Sequence, residues 1–532
     1  MTASPASPAL PALRRDAAWS RALLLVSAAA LLRLIFAAII PVFPDETYYW
    51  DWSRHLAAGY FDHPPVVALL IRLGGTLLAP FNASATFLGV RLGTILVGWV
   101  ASVATIATAR RIGGDAAAWR AAIVLTVLPL AAAGLILTTP DAPVLAATAL
   151  GLYCVVRALE CPVSSSASLR WWATTGLVLG LAFASKYTSI FLPVAVVLAI
   201  VLRPELRARL REPGPYVACV VATLVFAPVL VWNAHNGWIS FVFQLRHGLG
   251  APKGSALLAA WKHEGDFFGG QAGLASPILF VMLVIATART FRRRHPGAAS
   301  LPTDGSRFVL AMVAALSFLF FVYSAMRQRV EPNWPAPAYI PAIVLLATTS
   351  WSVVGEKWFR AGLWVAGVMS ALIYVQGVAP VLPLKPAKDP IARAFGWRDV
   401  TAAAVREAQA ATDSTHKHTW LAGDRYQEAS VLAFFDPAHP TTFATNISGR
   451  DNQYDIWPRF RTVAQVGDNL VLVLDESQSA PGPIVALAPY FELTQQSALV
   501  TMRRGSGVIG ARRIWRLSGW RGGWPVEPKP AP

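Results

Sequence analysis

Cysteine is almost missing from this chain: 532 residues contain three, Cys154, Cys161 and Cys219, each in or beside an apolar run. Such usage excludes a disulfide framework and a cysteine metal site. Charge is scarce too, at 14% of residues against 55% hydrophobic, and Asp and Glu are outnumbered 29 to 46 by Lys and Arg. With a mean hydropathy of +0.48, this composition marks a polytopic membrane protein. No internal repeat of fixed period is present, and no long low-complexity tract beyond Ala- and Leu-rich membrane sequence and a short Ser run at 164–166.

What the chain has instead is long apolar runs. Residues 22–41 supply the ~20 apolar residues that cross a bilayer as a helix. The run is too long for a cleavable signal, no small-residue cleavage site follows it, and further spans come after. Eleven spans are expected, near 22–41, 86–109, 118–138, 141–159, 171–185, 187–202, 215–232, 273–290, 306–324, 335–354 and 360–380. Between 171 and 202, Ala184-Ser185-Lys186-Tyr187-Thr188 separates two short apolar runs. One broken helix there would invert everything downstream, whereas two separate spans keep the later basic loops alternating correctly.

The formal charge of +17 reads as topology, not as nucleic-acid binding, because the basic residues fall between spans as cytoplasmic anchors do. Arg14, Arg15 and Arg21; Arg110, Arg111 and Arg120; Arg157 and Arg170; Arg203, Arg207, Arg209 and Arg211; Arg289, Arg292, Arg293 and Arg294; and Lys357 and Arg360 all fall on one side. The expectation is a multi-pass membrane protein with its N-terminus in the cytoplasm. Residues 1–21 form a cytoplasmic tail and 22–384 a transmembrane domain whose first extracytoplasmic loop is 42–85. Past 384 the character changes: 393–411 and 424–435 read as helices, 420–422 and 470–475 as short buried strands. Residues 385–532 are therefore an α/β domain, extracytoplasmic by this topology. The first dozen residues and the Pro-rich end, 524–532, are expected to be disordered.

The outer segments carry the chemistry. The first loop opens with Pro44-Asp45-Glu46-Thr47-Tyr48-Tyr49-Trp50 and closes with Asp62-His63-Pro64-Pro65, which suits the start of a helix over 66–78 with an apolar face along the interface. A carboxylate placed there can take a proton from an acceptor hydroxyl or amine during sugar or phosphoryl transfer. The same pair also reads as a helix start, with Asp45 as cap and Glu46 favoured by the helix dipole. Asp141, in Thr138-Thr139-Pro140-Asp141-Ala142-Pro143, sits between two spans with almost no loop to solvate it. It is either a cap or functional, and ionisable groups at such depth are expensive.

Lys186, Arg327 and Arg329 run against the charge bias. The arginine fork and the lysine point charge suit phosphate oxygens, the other reading being snorkelling or pairing with Glu331. Acids and cations on one face suggest an anionic, lipid-linked substrate. Residues 232–270 add Asn233, His235, Asn236, Trp238, Gln244, Arg246 and His247, a polar and aromatic surface for a sugar or lipid headgroup. His263, Glu264 and Asp266 lack a fixed ligand spacing, so a divalent metal is not indicated and no cofactor is expected.

Six motifs in this order give the chain a family resemblance: Pro44 to Trp50, Tyr60-Phe61-Asp62-His63-Pro64-Pro65, Thr139-Pro140-Asp141-Ala142-Pro143, Ser185-Lys186-Tyr187-Thr188, Trp232-Asn233-Ala234-His235-Asn236-Gly237-Trp238 and Glu331-Pro332-Asn333-Trp334-Pro335. Over about residues 20–460 the chain resembles the polyprenyl-phosphate-sugar-dependent glycosyltransferases of the GT-C fold, in the bacterial branch related to protein O-mannosyltransferases and lipid A aminoarabinose transferases. The resemblance implies an α-helical polytopic GT-C domain followed by the extracytoplasmic α/β domain. It implies an enzyme moving a sugar, with inversion, from an undecaprenyl-phosphate-type donor to a lipid, glycan or protein acceptor at the outer face of the membrane. Asp45 is then the base and Glu46 its helper. Asp141 matches the second acidic position, and Lys186, Arg327 and Arg329 are candidates for the departing lipid phosphate. Asp62, His63, Tyr187, His247, Glu331 and Asn333 complete the substrate-binding set.

The physical logic agrees. A phosphate leaving group carries its own charge, so placed cations stabilise it without a protonating acid, and one base suffices. No nucleotide-binding glycine loop is needed; Gly74-Gly75 lacks the strand-turn-helix setting of one. One departure is Asp62-His63-Pro64-Pro65, where the aminoarabinose transferases usually have a lysine. His63 either replaces it or caps a helix, and the departure speaks against lipid A as acceptor. Asp424-Arg425-Tyr426-Gln427 and Asn452-Gln453-Tyr454-Asp455-Ile456-Trp457 either shape an acceptor site or are structural. The alternative function is a transporter or flippase of lipid-linked sugars, which needs the cations and a through-pathway but no base.

Overall fold

The structure, a computed structural model, describes residues 9–249, 256–292, 302–447, 449–476 and 482–525, without the side chains of 9–16, 247–249, 256–260 and 302. Residues 1–8, Arg293, Arg294, the Pro-rich end beyond Pro525 and the side chains of Arg14, Arg15 and His247 lie outside the described residues. The chain forms two compact units: Met1–Ala37 with His63–Leu70 and Arg91–Tyr374, and Ala38–Asp62 with Ile71–Val90 and Val375–Pro532.

The first unit is helical. Among the described residues six helices are long and apolar enough to cross a membrane: Ala17–Ile39, Phe87–Val127, Asp141–Glu160, Gly214–His235, Thr303–Ala325 and Val353–Val378. Two further helix pairs, Tyr187–Leu202 with Pro204–Arg211 and Trp261–Ala275 with Pro277–Arg292, bend by 114° and 98° at their breaks and raise the number to eight at most. This count among the described residues leaves the expected number of eleven spans unconfirmed, and backbone breaks explain much of the difference. The run expected at 118–138 begins inside Phe87–Val127, past a break where Gly114 takes φ 75°, and resumes only as the short Pro129–Gly134 helix. The run expected at 335–354 ends at Thr348, because Thr349 is extended.

Large apolar side chains on these helices face outward, as Leu24, Leu224, Leu319 and Trp364 do at 62–76% exposure, which hydrocarbon tolerates. The inside is built from small residues such as Ala118, Ala121, Ala122, Ala199 and Ala311, all fully buried. Helix Ser166–Phe183 lies so close to Gly214–His235 that a Cβ on Gly176 would collide with the Ala218 backbone, and one on Gly180 with Val225. Small residues at such crossings let helices pack by close backbone approach.

The second unit is built on a mixed sheet in the order β2-β1-β3-β5-β4. Strands β1 (Thr419–Gly423), β2 (Thr442–Ala444) and β3 (Asn469–Asp475) run parallel, while β4 (Phe491–Arg504) and β5 (Gly507–Trp520) form a long hairpin antiparallel to β3. Strand β3 is central and covered on both faces. Val471 and Val473 meet Trp397, Val400 and Val431 on one side, and Leu470, Leu472 and Leu474 meet Phe443, Phe460 and Leu517 on the other. The expected helices and strands are present as Trp397–Thr415, β1, Tyr426–Phe435 and β3. The β4-β5 hairpin was not foreseen.

Residues 38–62 belong to this unit. They contain an 11-residue helix, Pro44–Arg54, here called the loop helix. Pro44 at its first turn and extended Phe43 before it fix where it starts, since proline fits the first helical position.

Candidate active site

The loop helix has no belt of exposed aromatics. Tyr48, Trp50 and Trp52 are buried, with Tyr48 against Tyr426 at a ring distance of 4.3 Å, Trp50 edge-on to Phe434 at 5.0 Å and Trp52 stacked on Tyr60 at 4.3 Å. Thr47 and Ser430 share a 2.8 Å hydrogen bond between their hydroxyls. The Asp51 carboxylate accepts from the Tyr454 hydroxyl at 2.7 Å and from Arg54 at 3.0 Å.

The two leading acids have different surroundings. Glu46 is 1% exposed, and its carboxylate turns back to accept the Phe43 N–H at 2.9 Å, satisfying one of the donors a helix start leaves open. Asp45 instead accepts from the Tyr426 hydroxyl at 3.3 Å through Oδ1. Burial raises the Asp45 pKa above the ordinary carboxylate range. The charges of Arg393 and Arg450 and the Tyr426 hydrogen bond oppose that rise without cancelling it, and the Asp62 charge adds to it. The reading of Asp45 as the helix cap gives way to Glu46 in that role.

At the far end of the loop, Asp62 is 3% exposed and held on both oxygens. Its Oδ2 accepts from the Tyr48 hydroxyl at 2.7 Å and its Oδ1 from Arg450 at 2.6 Å. The Tyr48 oxygen in turn accepts the Gln453 N–H at 2.7 Å, and the Gln453 side chain accepts the Phe61 N–H at 2.8 Å. The Arg450 guanidinium also lies over the Tyr426 ring, 5.4 Å from its centre. Arg393 and Arg450 escaped sequence reasoning as site residues, whereas Tyr426 and Gln453 were offered only within runs that either shape an acceptor site or are structural. Tyr426 and Gln453 lie in the two polar-aromatic runs noted above, which were the available signal.

The first unit holds its own cluster. Asp141 opens the helix Asp141–Glu160 at 7% exposure. It accepts from Lys186 Nζ at 2.5 Å and from the Asn333 amide at 2.6 Å, joining three of the expected residues. Tyr187 beside Lys186 shares a 2.9 Å hydrogen bond with Ser240, accepts from Asn233 at 3.3 Å and stacks on Phe241 at 4.5 Å. His63 Nδ1 lies 3.4 Å from the Gln244 amide nitrogen, and the helix Val66–Leu78 follows Pro64-Pro65 as expected. Arg327 donates to the Tyr323 hydroxyl at 3.2 Å. Arg329 pairs with Glu331 at 3.4 Å with both side chains exposed, a contact worth about 0–1 kcal/mol in water. Neither arginine joins the Asp141 cluster through a described hydrogen bond.

Comparison with known proteins adds independent findings. Residues 62–232 match the dolichyl-phosphate-mannose-protein mannosyltransferase family. The lipid A galacturonosyltransferase RgtD of Rhizobium johnstonii is 26% identical over 384 residues, which cover 70% of this chain and 74% of that one. ArnT of Cupriavidus metallidurans, solved bound to undecaprenyl phosphate, superposes with a TM-score of 0.58 at 15% identity over 92% of this chain and 97% of that chain. The archaeal oligosaccharyltransferase AglB of Archaeoglobus fulgidus, solved with an inhibitory peptide and a dolichol-phosphate, reaches 0.52 at 10% identity over 88% and 72%. At such identities the superpositions establish the fold, and the sequence matches say what the chain is similar to. Together these findings show a membrane protein of the GT-C fold whose sequence is similar to glycosyltransferases, over residues 62–232 to the dolichyl-phosphate-mannose-protein mannosyltransferase family and over most of its length to RgtD.

Proposed function

We propose that this enzyme moves one sugar from a polyprenyl-phosphate donor to an envelope acceptor at the outer face of the inner membrane, with Asp45 as general base. The acceptor hydroxyl or amine gives its proton to Asp45 as it attacks the anomeric carbon. The bond from that carbon to the phosphate oxygen breaks, the electron pair leaves with the phosphate, and the configuration inverts. The observation that carries this reading is Asp45 itself: it is released from capping by Glu46 and held on one oxygen by Tyr426. Its pKa is raised by burial, and a more basic carboxylate accepts a proton better near neutral pH.

The leaving lipid phosphate needs cations, and Arg327 and Arg329 are assigned that task. Lys186 is already neutralised by Asp141, so this pair with Asn333 is read as a neutral, hydrogen-bonding part of the substrate site. The undecaprenyl phosphate bound to ArnT supports the donor class. The name of RgtD favours lipid A over a glycan or protein as acceptor, against the expectation drawn from Asp62-His63-Pro64-Pro65. The basic inner loops support a periplasmic C-terminal domain.

The test uses purified enzyme, extracted lipid A and undecaprenyl-phosphate donors carrying galacturonic acid, aminoarabinose or mannose. Asp45→Asn is expected to keep donor binding and to lose transfer by ~10²-fold or more, as removal of a general base does. Undiminished transfer by a well-folded Asp45→Asn enzyme would discard the proposal.

A further inference from the structure

We infer that Tyr426 is a positioning residue for Asp45, its hydroxyl fixing one carboxylate oxygen so that the other is left to take the acceptor proton. The inference rests on the reading of Asp45 as base and assigns the C-terminal segment a share in that chemistry. Tyr426, Ser430 and Phe434 lie four residues apart on one helix, Tyr426–Phe435, and residues at that spacing share a face. That face docks along the loop helix: Tyr426 on Asp45 and Tyr48, Ser430 on Thr47, Phe434 on Trp50. Two further turns of helix therefore fix where the Tyr426 ring stands.

The ring is also clamped from its faces. Tyr48 packs 4.3 Å away, centre to centre, and the Arg450 guanidinium stands 5.4 Å from the ring centre. Tyr48 and Arg450 are themselves tied to the two oxygens of Asp62. Rotation of Tyr426 away from Asp45 would break contacts with groups that hold both ends of the loop. Among the described residues, Tyr426 is the hydrogen-bond donor to Asp45, at Oδ1, and Oδ2 receives no hydrogen bond.

The chemical consequence has a definite sign. A hydroxyl donating to a carboxylate favours its charged form, so Tyr426, with Arg393 and Arg450, opposes the upward push that burial and the charge of Asp62 give the Asp45 pKa. Tyr426→Phe removes the donor and leaves the ring in place. The Asp45 titration should then move up, and the pH below which transfer falls off should rise with it.

Two readouts separate positioning from plain structural support. One is the pH profile of transfer with the donor panel above. The other needs no turnover: dicyclohexylcarbodiimide reacts with protonated carboxyl groups, and mass spectrometry reads the labelling of Asp45 against pH. Both midpoints are expected to rise together in Tyr426→Phe, with binding of undecaprenyl phosphate retained. An unchanged labelling midpoint in a folded Tyr426→Phe enzyme overturns the inference, whatever happens to the rate. Should that variant fail to fold, 3-fluorotyrosine installed at 426 alone, a stronger donor in the same frame, is expected to lower the midpoint; no movement overturns the inference equally. Transfer retained by Asp45→Asn would sink the base itself, and the labelling midpoint would still decide on Tyr426.

Discussion

Asp45 and Glu46 are chemically similar neighbours with opposite tasks, and the difference has a thermodynamic signature. Because the folded pKa of Asp45 lies above its unfolded value, the native state binds more protons between the two values, and stability falls as pH rises through that window. The carboxylate is then a net cost at neutral pH. Asp45→Asn should raise the melting temperature at pH 7, with the gain fading as the pH falls toward ~4, the unperturbed value; a melting temperature that drops at pH 7 would contradict the assigned environment. The Asp141–Lys186 pair behaves differently, since its side chains are only 10% and 9% exposed. Removing one partner strands a buried charge, which typically costs about 3–5 kcal/mol. Asp141→Asn should show that loss in thermal unfolding, and Asp141→Asn with Lys186→Met should recover most of it. Restored folding without restored transfer would mark the pair as functional.

Between elements, the crossing of Ser166–Phe183 on Gly214–His235 depends on two glycines with backbone or Val225 where a side chain would stand. Gly176→Leu should force the helices apart and destabilise the protein by about 1–3 kcal/mol, as overpacking does, read as a lower melting temperature in detergent. Much of this architecture was legible in the sequence, because apolar runs, basic loops and the β1 and β3 patterns are local signals. The β4-β5 hairpin was not. Its strands carry Arg503, Arg504, Arg512, Arg513 and Arg516 among half-exposed neighbours, so the period-2 alternation of a half-buried strand is blurred. The expected span boundaries are shifted for a related reason: Gly114 and Thr349 interrupt helices where hydropathy alone runs on. In the site, the acids could be read from their position after the first span. Arg450 could not, because what selects it is contact with Asp62 across 388 residues of sequence.

For the molecule as a whole, the C-terminal unit is a composite of early and late chain: Ala38–Asp62 and Ile71–Val90 fold with Val375–Pro532. Deleting 385–532 would remove Tyr426, Ser430, Arg450, Gln453 and Tyr454 from the loop helix at one stroke. The shortened chain should lose transfer entirely, beyond any change in acceptor range, and trypsin should cut at Arg54 in it but not in the full protein. Unaltered transfer by the truncated chain would contradict this. The same arrangement constrains biogenesis. Tyr48 must wait for Gln453, 405 residues later, and at the usual ~5–20 residues per second of synthesis that delay is roughly 20–80 s. Throughout it the nascent loop holds Tyr48 and Trp50 without their later partners, already past the first apolar helix. The segment proposed to do the chemistry is thus also a timing liability, exposed to proteases and chaperones until the last quarter of the chain arrives to claim it.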